Sequence, residues 1–393
     1  MTTIAEFFVA LPIVLAAYSY AVYPALLWIF ARNRRSPLDI ADAHYQPSIS
    51  IVIPAYNEET QIGGAIEAIL AQNYPRDKMQ ILILSDASTD ATDRIVSSYT
   101  DRGVELMRMP KRSGKTAMEN AACRLLRGEI IVNSDASIRL HPDATRHLIE
   151  RLADPSIGVS SGRDVSVSVG RPQANETEAG YVNYEMRLRA LETRVGGIVG
   201  ASGCCYAIRA DLHRLPIPPD LSRDFSAALT ARAHGFRAVS VDEAIAYVPR
   251  TPTLRREYKR KVRTIARGME TLLGVAHMMD PMRYGAFSWR LISHKVIRWL
   301  VPLSGVPALA GLLYLAPSHA WAAVLLALAL LVCAVAGVGA LWPDTKPMPK
   351  LLSFVSFAVA ANVAVIHAVC RLVYTGDDKI WEPTRREAIV VAS

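Results

Sequence analysis

The sequence predicts an α/β domain built on a mostly parallel sheet and set between apolar helices long enough to cross a membrane. Three observations carry that expectation. Strand-like apolar runs recur in SISIVIPAYNEE from Ser48, in ILILSDASTD and in IIVNSDASIR. The last two end directly in lone aspartates, Asp86 and Asp135, and each leads back into helical sequence. A strand that ends in an acidic turn and feeds a helix places its carboxylate at the carboxyl edge of a parallel sheet, where open α/β folds bind ligands. Outside this region, long uncharged stretches stand at both ends of the chain.

The chain has 393 residues, 51% hydrophobic and 20% charged, and its mean hydropathy of +0.19 is high for a purely soluble protein. Its length allows roughly two or three domains at ~150 residues each. Phe7 to Ala31 holds no charged residue, enough for a helix across a bilayer, which needs ~20 residues. Only Glu6 precedes it as a charge; without the basic start of a secretory signal, the stretch reads as a retained anchor. Three more spans are expected, at about Trp299 to Ala316, Trp321 to Trp342 and Leu351 to Cys370. Pro317-Ser318-His319 and PDTKPMPK separate them. Their near-continuous apolarity, with no polar face, favours lipid over a buried core.

Basic residues set the expected orientation. Arg32, Arg34 and Arg35 follow the first span, Arg290, Lys295 and Arg298 precede the second, and Lys346 and Lys350 follow the third. That places the middle region in the cytoplasm and the chain in the inner (cell) membrane. Four spans would send the tail outside, although it carries Arg371, Lys379, Arg385 and Arg386. Cys123, Cys204, Cys205, Cys333 and Cys370 show no C-x-x-C spacing, which argues against disulfides and structural zinc. The net charge of +8 fits membrane lipids and phosphates as partners. Without a recognition motif it does not point to nucleic acid.

Between Ser48 and about Asn133, strand and helix alternate. SISIVIP precedes Glu58 to Gln72, where Ile62, Ile66, Ile69 and Leu70 mark a buried helical face. QILIL leads to a helix beginning near Ser88-Thr89-Asp90, whose side chains suit a helix start; GVELMRM, a helix over Lys115 to Leu126 and EIIVN follow. Helical crossovers between successive strands imply a largely parallel sheet covered on both faces. Beyond His141 the pattern is mixed: a helix over Pro142 to Leu152, a short strand around Gly158 to Ser161, and helical patterning over Asn183 to Thr193. Gly203 lies in the glycine-rich VGGIVGASGCC, which permits close approach to a ligand or to another backbone. Arg255 to Arg267 reads as a dense basic helix, and residues 269–298 as a segment along the membrane surface.

Two nucleotide motifs are excluded. SGKT at Ser113 to Thr116 lacks the first glycine of a phosphate loop, since Met109 stands there. No G-x-G-x-x-G follows the first strand. What fits is the acidic set: Asp86, Asp135 and Asp224, the last in a helix-opening SRDF, with arginines downstream. Singly, each aspartate is an ordinary turn or cap. Together they suit a nucleotide-diphosphate donor, with one acid meeting base or ribose and one approaching the diphosphate through Mg2+ or Mn2+. A third can take a proton from an attacking hydroxyl, while arginines stabilise the departing diphosphate.

These residues give the chain a resemblance to family 2 glycosyltransferases, in particular the membrane-integrated branch that includes cellulose, hyaluronan and chitin-oligosaccharide synthases. The carriers are IVIPAYNEE, ILSDASTD, KRSGKTAMENAA, VNSDAS, GCCYAIR, SRDF and the closing DKIWEPTRR, and the resemblance covers about Gln46 to Met269. It implies a GT-A type fold of the nucleotide-diphospho-sugar transferases. It also implies that Tyr56, Asn57 and Glu58 line the nucleoside pocket, that Asp86 meets the base and that Lys115 reaches the nucleotide. Asp135 matches the first acid of the family's D-x-D, near diphosphate and metal, and Asp224 the acid of T-E-D, the catalytic base. Q-x-x-R-W falls on Thr264 to Gly268, so only Arg267 survives. Ser137 replaces the second D-x-D acid, which puts metal use in question. Arg260, Arg263 and Arg267 share a helical face that could serve substrate or anionic lipid.

The expected reading is an inverting glycosyltransferase moving a sugar from a nucleotide-sugar donor, a UDP-sugar first, to a saccharide or lipid-linked acceptor in cell-surface polysaccharide or glycolipid synthesis. The alternatives are transfer to a polyprenyl phosphate and a non-catalytic membrane scaffold. The expected division is an anchor and basic linker over 1–45, a glycosyltransferase domain over 46–268, the interfacial segment, membrane helices over 299–374 and a tail over 375–393.

Overall fold

The structure is a computed structural model that describes residues 1–32, 34, 42–167, 176–249, 253–343 and 348–374. Arg35, Lys346, the DKIWEPTRR motif and the expected tail over 375–393 lie outside them. The chain packs as two compact units. Among the described residues, one holds 1–32, 176–178, 253–343 and 348–374; the other holds 34, 42–167 and 179–249. Helix α1 (Thr2–Ala31) opens the first unit and runs past Pro12 and Pro24, with a π-helical turn over Tyr18–Val22.

The second unit begins with β1 (Ile49–Ala55), α2 (Ile62–Leu70), β2 (Met79–Ser85), α3 (Thr92–Ser97), β3 (Val104–Arg108), α4 (Lys115–Ala122) and β4 (Ile130–Ser134). In β1 and β2 every residue is buried, the mark of strands covered on both faces. Alternate side chains go opposite ways. Ile49, Ile51, Ile53, Ile81 and Ile83 meet Ile62, Ile66 and Ile69 of α2, while Val52, Leu82 and Leu84 meet Met118 and Ala122 of α4. Gly128 is needed just before β4, because a Cβ there would sit 2.3 Å from the backbone N of Ser50.

The rest of this unit is β5 (Arg139–Leu140), α5 (Ala144–Arg151), β6 (Ile157–Val167), α6 (Glu176–Val195), β7 (Cys205–Arg209), α7 (Ala210–His213), α8 (Arg223–Ala233) and β8 (Arg237–Pro249). The eight strands form one sheet in the order β3-β2-β1-β4-β7-β6-β8-β5. β3, β2, β1 and β4 are parallel; β7 pairs antiparallel with β4 and with β6, β6 and β8 are parallel, and β5 closes antiparallel on β8. The short strand expected at Gly158 to Ser161 is thus eleven residues long, and β8 was not read from the sequence.

The first unit resumes with α9 (Leu254–Gly274), α10 (Ala286–Leu315), α11 (Ala320–Ala340) and α12 (Lys350–Tyr374). Helices α1, α10, α11 and α12 are long and apolar enough to cross a membrane. Their contacts use small residues, which let backbones approach where lipid gives no hydrophobic drive. A Cβ on Gly311 would lie 2.9 Å from the Ala5 carbonyl oxygen, and one on Gly339 would overlap Ser356. Packing divides the chain differently from the expected boundaries. The basic helix α9 belongs with the apolar helices, its Val262 and Ala266 against Ala364 and Ala368 of α12. The segment expected to lie along the surface up to residue 298 is already helix α10 from Ala286.

Candidate active site

The parallel half of the sheet presents its carboxyl edge through strained turns. Asn57, just past β1, and Ala87, just past β2, have φ of 52° and 57°, the non-glycine residues with positive φ among those described. Such backbone costs on the order of 1–3 kcal/mol per residue and gathers at binding sites. The two turns are tied together: Asn57 Nδ2 donates to Thr89 Oγ1 at 3.2 Å, and the Thr89 amide donates to Asn57 Oδ1 at 2.8 Å. The Glu58 amide donates to Thr92 Oγ1, and Glu58 itself is buried. Tyr56 lies with the Arg112 guanidinium 4.0 Å from its ring centroid.

Asp86 is fully buried at the end of β2. Its Oδ1 accepts from the Ser113 amide at 2.7 Å and its Oδ2 from the Gly114 amide at 2.9 Å. Gly114 is the N-cap of α4 with φ 87°, so the carboxylate caps that helix where the backbone amides and dipole favour negative charge. The expectation of direct contact with a base changes accordingly. In this state Asp86 fixes the turn that launches Lys115 and presents no surface to a ligand.

Lys115 is the hub. Its Nζ donates to Asp135 Oδ1 at 2.6 Å, with the two side chains 18% and 30% exposed. Burial opposes its charge, but Asp135, then Glu119 and Asp224, outweigh burial and hold its pKa above the ordinary lysine value. Asp135 and Asp224 therefore act on one ammonium, although 89 residues separate them in sequence (224 − 135). Asp224 stands in the first turn of α8, half-buried. Its Oδ1 accepts from the Ser222 hydroxyl and, at 2.8 Å, from the Phe225 amide. Its Oδ2 faces Gly203, where a Cβ would come within 2.4 Å. Gly203 is thus required by the acid; the expected close approach is to the Asp224 side chain.

Behind these groups lies a polar wall that sequence reasoning missed. Glu119 and Arg223 are buried, with Arg223 Nε 3.4 Å from Glu119 Oε2. Arg223 also donates to the His213 carbonyl at 2.9 Å and to Asn120 Oδ1. Burial pushes the Glu119 carboxyl above the usual range, against the pull of Lys115 and Arg223. The His213 ring is held well below its usual pKa by burial, then by Arg223 and Arg214. Neither Glu119 oxygen accepts a hydrogen bond among the described residues. Glu119 lies four residues after Lys115, and Arg223 adjoins Asp224, so both were visible; their pairing across the fold was not.

A metal is poorly provided for by the protein alone. Among the described residues no group of three or more His, Cys, Asp or Glu side chains is arranged to hold one. Ser137, in place of a second acid, is buried. Asp135 is the carboxylate left for the task, and a divalent ion there would take its other ligands from substrate phosphates and water, as magnesium commonly does. Arg263 and Arg267 lie half-buried on α9 in the helical unit. There the Trp299 ring covers Gly268, 3.4 Å from where a Cβ would stand.

Comparison with known proteins agrees with this geometry. Residues 50–215 match the family described as Glycosyl transferase family 2. The chain carries a family 2 glycosyl transferase domain. An N-acetylglucosaminyltransferase of Bradyrhizobium diazoefficiens is 25% identical over 68% of this chain and 58% of its own length. One from Rhizobium sp. strain N33 is 26% identical over 53% of this chain and 50% of its own. The chain therefore spans only about half to three-fifths of those relatives. A solved mannosyltransferase from Pyrobaculum calidifontis, in complex with GDP-Man and Mn2+, superposes with a TM-score of 0.72 at 23% identity, covering 94% of this chain and all of that one. The shared fold is GT-A-like, matching the expected fold class.

Proposed function

We propose that this family 2 protein is an inverting glycosyltransferase that moves a hexosyl or N-acetylhexosaminyl group from a nucleotide-diphosphate sugar, a UDP-sugar first, to a saccharide or lipid-linked acceptor in polysaccharide or glycolipid synthesis. The observation that carries the reading is the convergence of Asp135, Glu119 and Asp224 on Lys115 at the carboxyl edge of β4 and the start of α8. Rhizobial N-acetylglucosaminyltransferases among the relatives support the sugar class.

In this reading Tyr56, Asn57 and Glu58 border the nucleoside, with Asp86 holding the turn beneath it. Asp224 takes the proton of the acceptor hydroxyl while that oxygen bonds to the anomeric carbon. The bond to the diphosphate oxygen breaks on the opposite face, and the electron pair leaves with the diphosphate. Lys115, released from Asp135 by the incoming phosphates, meets that charge. A divalent cation brought with the donor would be held by Asp135 and would supply further charge neutralisation on the diphosphate. Arg267 and Arg263 are proposed on family resemblance alone, as cationic partners of substrate. The four apolar helices support membrane attachment, with the inner membrane and a cytoplasmic catalytic domain proposed from the flanking basic residues.

The test is incubation of membranes containing the full chain with a panel of radiolabelled nucleotide sugars, with and without Mn2+. Label should pass from one donor into saccharide or lipid. If no donor is consumed and none protects the protein against heat unfolding, the transferase reading fails in favour of a non-catalytic scaffold.

A further inference from the structure

The transferase unit has a second concave surface that the reaction above does not use. It is a groove of about 530 Å³ between α6 and the strands β6 and β8. Arg163 enters it from β6, Arg187 and Arg194 from α6, and Asp242 from β8. Seven residues separate Arg187 from Arg194, so both stand on one face of the helix, about 10.5 Å apart along its axis. Met186 and Leu191 line the wall with them. Arg187 and Arg194 are exposed, and the Arg163 Nε is buried without a hydrogen-bond partner among the described residues. Three guanidinium groups against one carboxylate leave an excess of positive charge beside an apolar strip.

The groove is built on the same elements as the acid at the site. Arg189, two residues along α6 from Arg187, donates from Nη2 to Ser161 Oγ of β6 at 2.9 Å and to the Gly200 carbonyl at 2.7 Å. Asp164, next to Arg163, accepts from Ser202 Oγ at 2.6 Å. Ser202 adjoins Gly203, which abuts Asp224 Oδ2. The framework that presents the arginines therefore also seats the carboxylate proposed to activate the acceptor.

We propose that this groove binds the acceptor, and that the acceptor is an amphiphilic diphosphate ester. Its phosphoryl oxygens pair with Arg163 and with Arg187 or Arg194, the fork geometry for which guanidinium is suited, and its apolar chain lies on Met186 and Leu191. The word acceptor rests on the transferase reading; the binding does not.

The experiment uses the full chain in detergent, with the donor site filled by saturating nucleotide diphosphate and Mn2+. A short-chain alkyl diphosphate and inorganic pyrophosphate are titrated separately against wild type, Arg163→Gln and the double variant Arg187→Glu/Arg194→Glu. Because Arg187 and Arg194 are exposed, their replacement should leave the fold and nucleotide binding unchanged. The alkyl diphosphate should bind wild type and bind the double variant more weakly by about tenfold or more, the value of a charge-assisted hydrogen bond. No binding with the donor site filled, or equal binding by the double variant, would overturn the proposal. Equal affinity for pyrophosphate and the alkyl ester would overturn its apolar half. Absence of transfer from every nucleotide sugar, with this binding intact, would instead count against the transferase reading alone.

Discussion

The two halves of the sheet are built by different rules, and they divide the labour of the site. β3, β2, β1 and β4 run parallel, buried on both faces at β1, β2 and β4; their ends carry Asn57, Asp86 and Asp135. The other half mixes directions, β7 antiparallel to both neighbours and β8 with adjacent exposed residues at Asp242 and Glu243. It brings Gly203, and α8 beside it brings Asp224. The difference shows where specificity can vary. A rigid, apolar, parallel half offers backbone turns to a donor, while the half with open faces can change its polar surface without losing its core.

The largest effect expected from breaking this arrangement is at the wall joining the halves. Arg223→Gln removes the cation beside buried Glu119 and the donor to the His213 carbonyl. Stripping one partner from a buried pair costs about 3–5 kcal/mol, so the variant should unfold at markedly lower denaturant. An unchanged midpoint would show that the wall does not join the two parts. Next, Lys115→Met should weaken nucleotide-diphosphate binding by about tenfold to a hundredfold, on the order of 1.4–2.8 kcal/mol, measured by titration. Unaltered affinity would detach Lys115 from the donor half.

Gly203→Ala sharpens the comparison, because the intruding methyl meets the end of a flexible carboxylate and not backbone. The fold should survive and Asp224 should move. Transfer should fall by about tenfold, a 1.4 kcal/mol rise in barrier, with nucleotide affinity unchanged. A parallel loss of nucleotide binding would assign Gly203 to the donor instead. The smallest effect is one of pH. His213 has a folded-state pKa depressed below its ordinary value, so the unfolded state binds the extra proton as pH falls below about 6.5. Its share of stability is complete above that pH and is lost below it, reaching about 1.4 kcal/mol one unit down. Thermal unfolding followed from pH 7.5 to 5.5 should drop less steeply in His213→Gln than in wild type; identical slopes would exclude the ring as the source.

The same contrast explains what could be read without coordinates. Runs such as SISIVIP and QILIL announce buried strands because both faces need apolar residues, and the aspartates that end them stand out for that reason. The chain from Phe7 to Ala31 is legible by length and lack of charge alone. β8 was not legible, since Asp242 and Glu243 interrupt its apolar run, and β6 was read only over its buried start because its outer end is half-exposed. Asp86 illustrates the limit at the site. Its position was plain, but its use of both oxygens to cap α4 depends on a turn 27 residues later (113 − 86). Glu119 and Arg223 likewise meet only because the start of α8 comes up against α4. The basic face of α9 was visible, whereas its packing on Ala364 and Ala368 depends on a helix about a hundred residues onward.

The central claim is that Asp224 serves the acceptor while the parallel half holds the donor. Asp224→Asn tests it on one preparation, with sugar transfer and nucleotide-dependent heat protection measured together. Transfer should fall by ~10² or more, the usual cost of a lost general base, while protection by the nucleotide diphosphate matches that of wild type. Turnover near the wild-type rate in that variant would contradict the account.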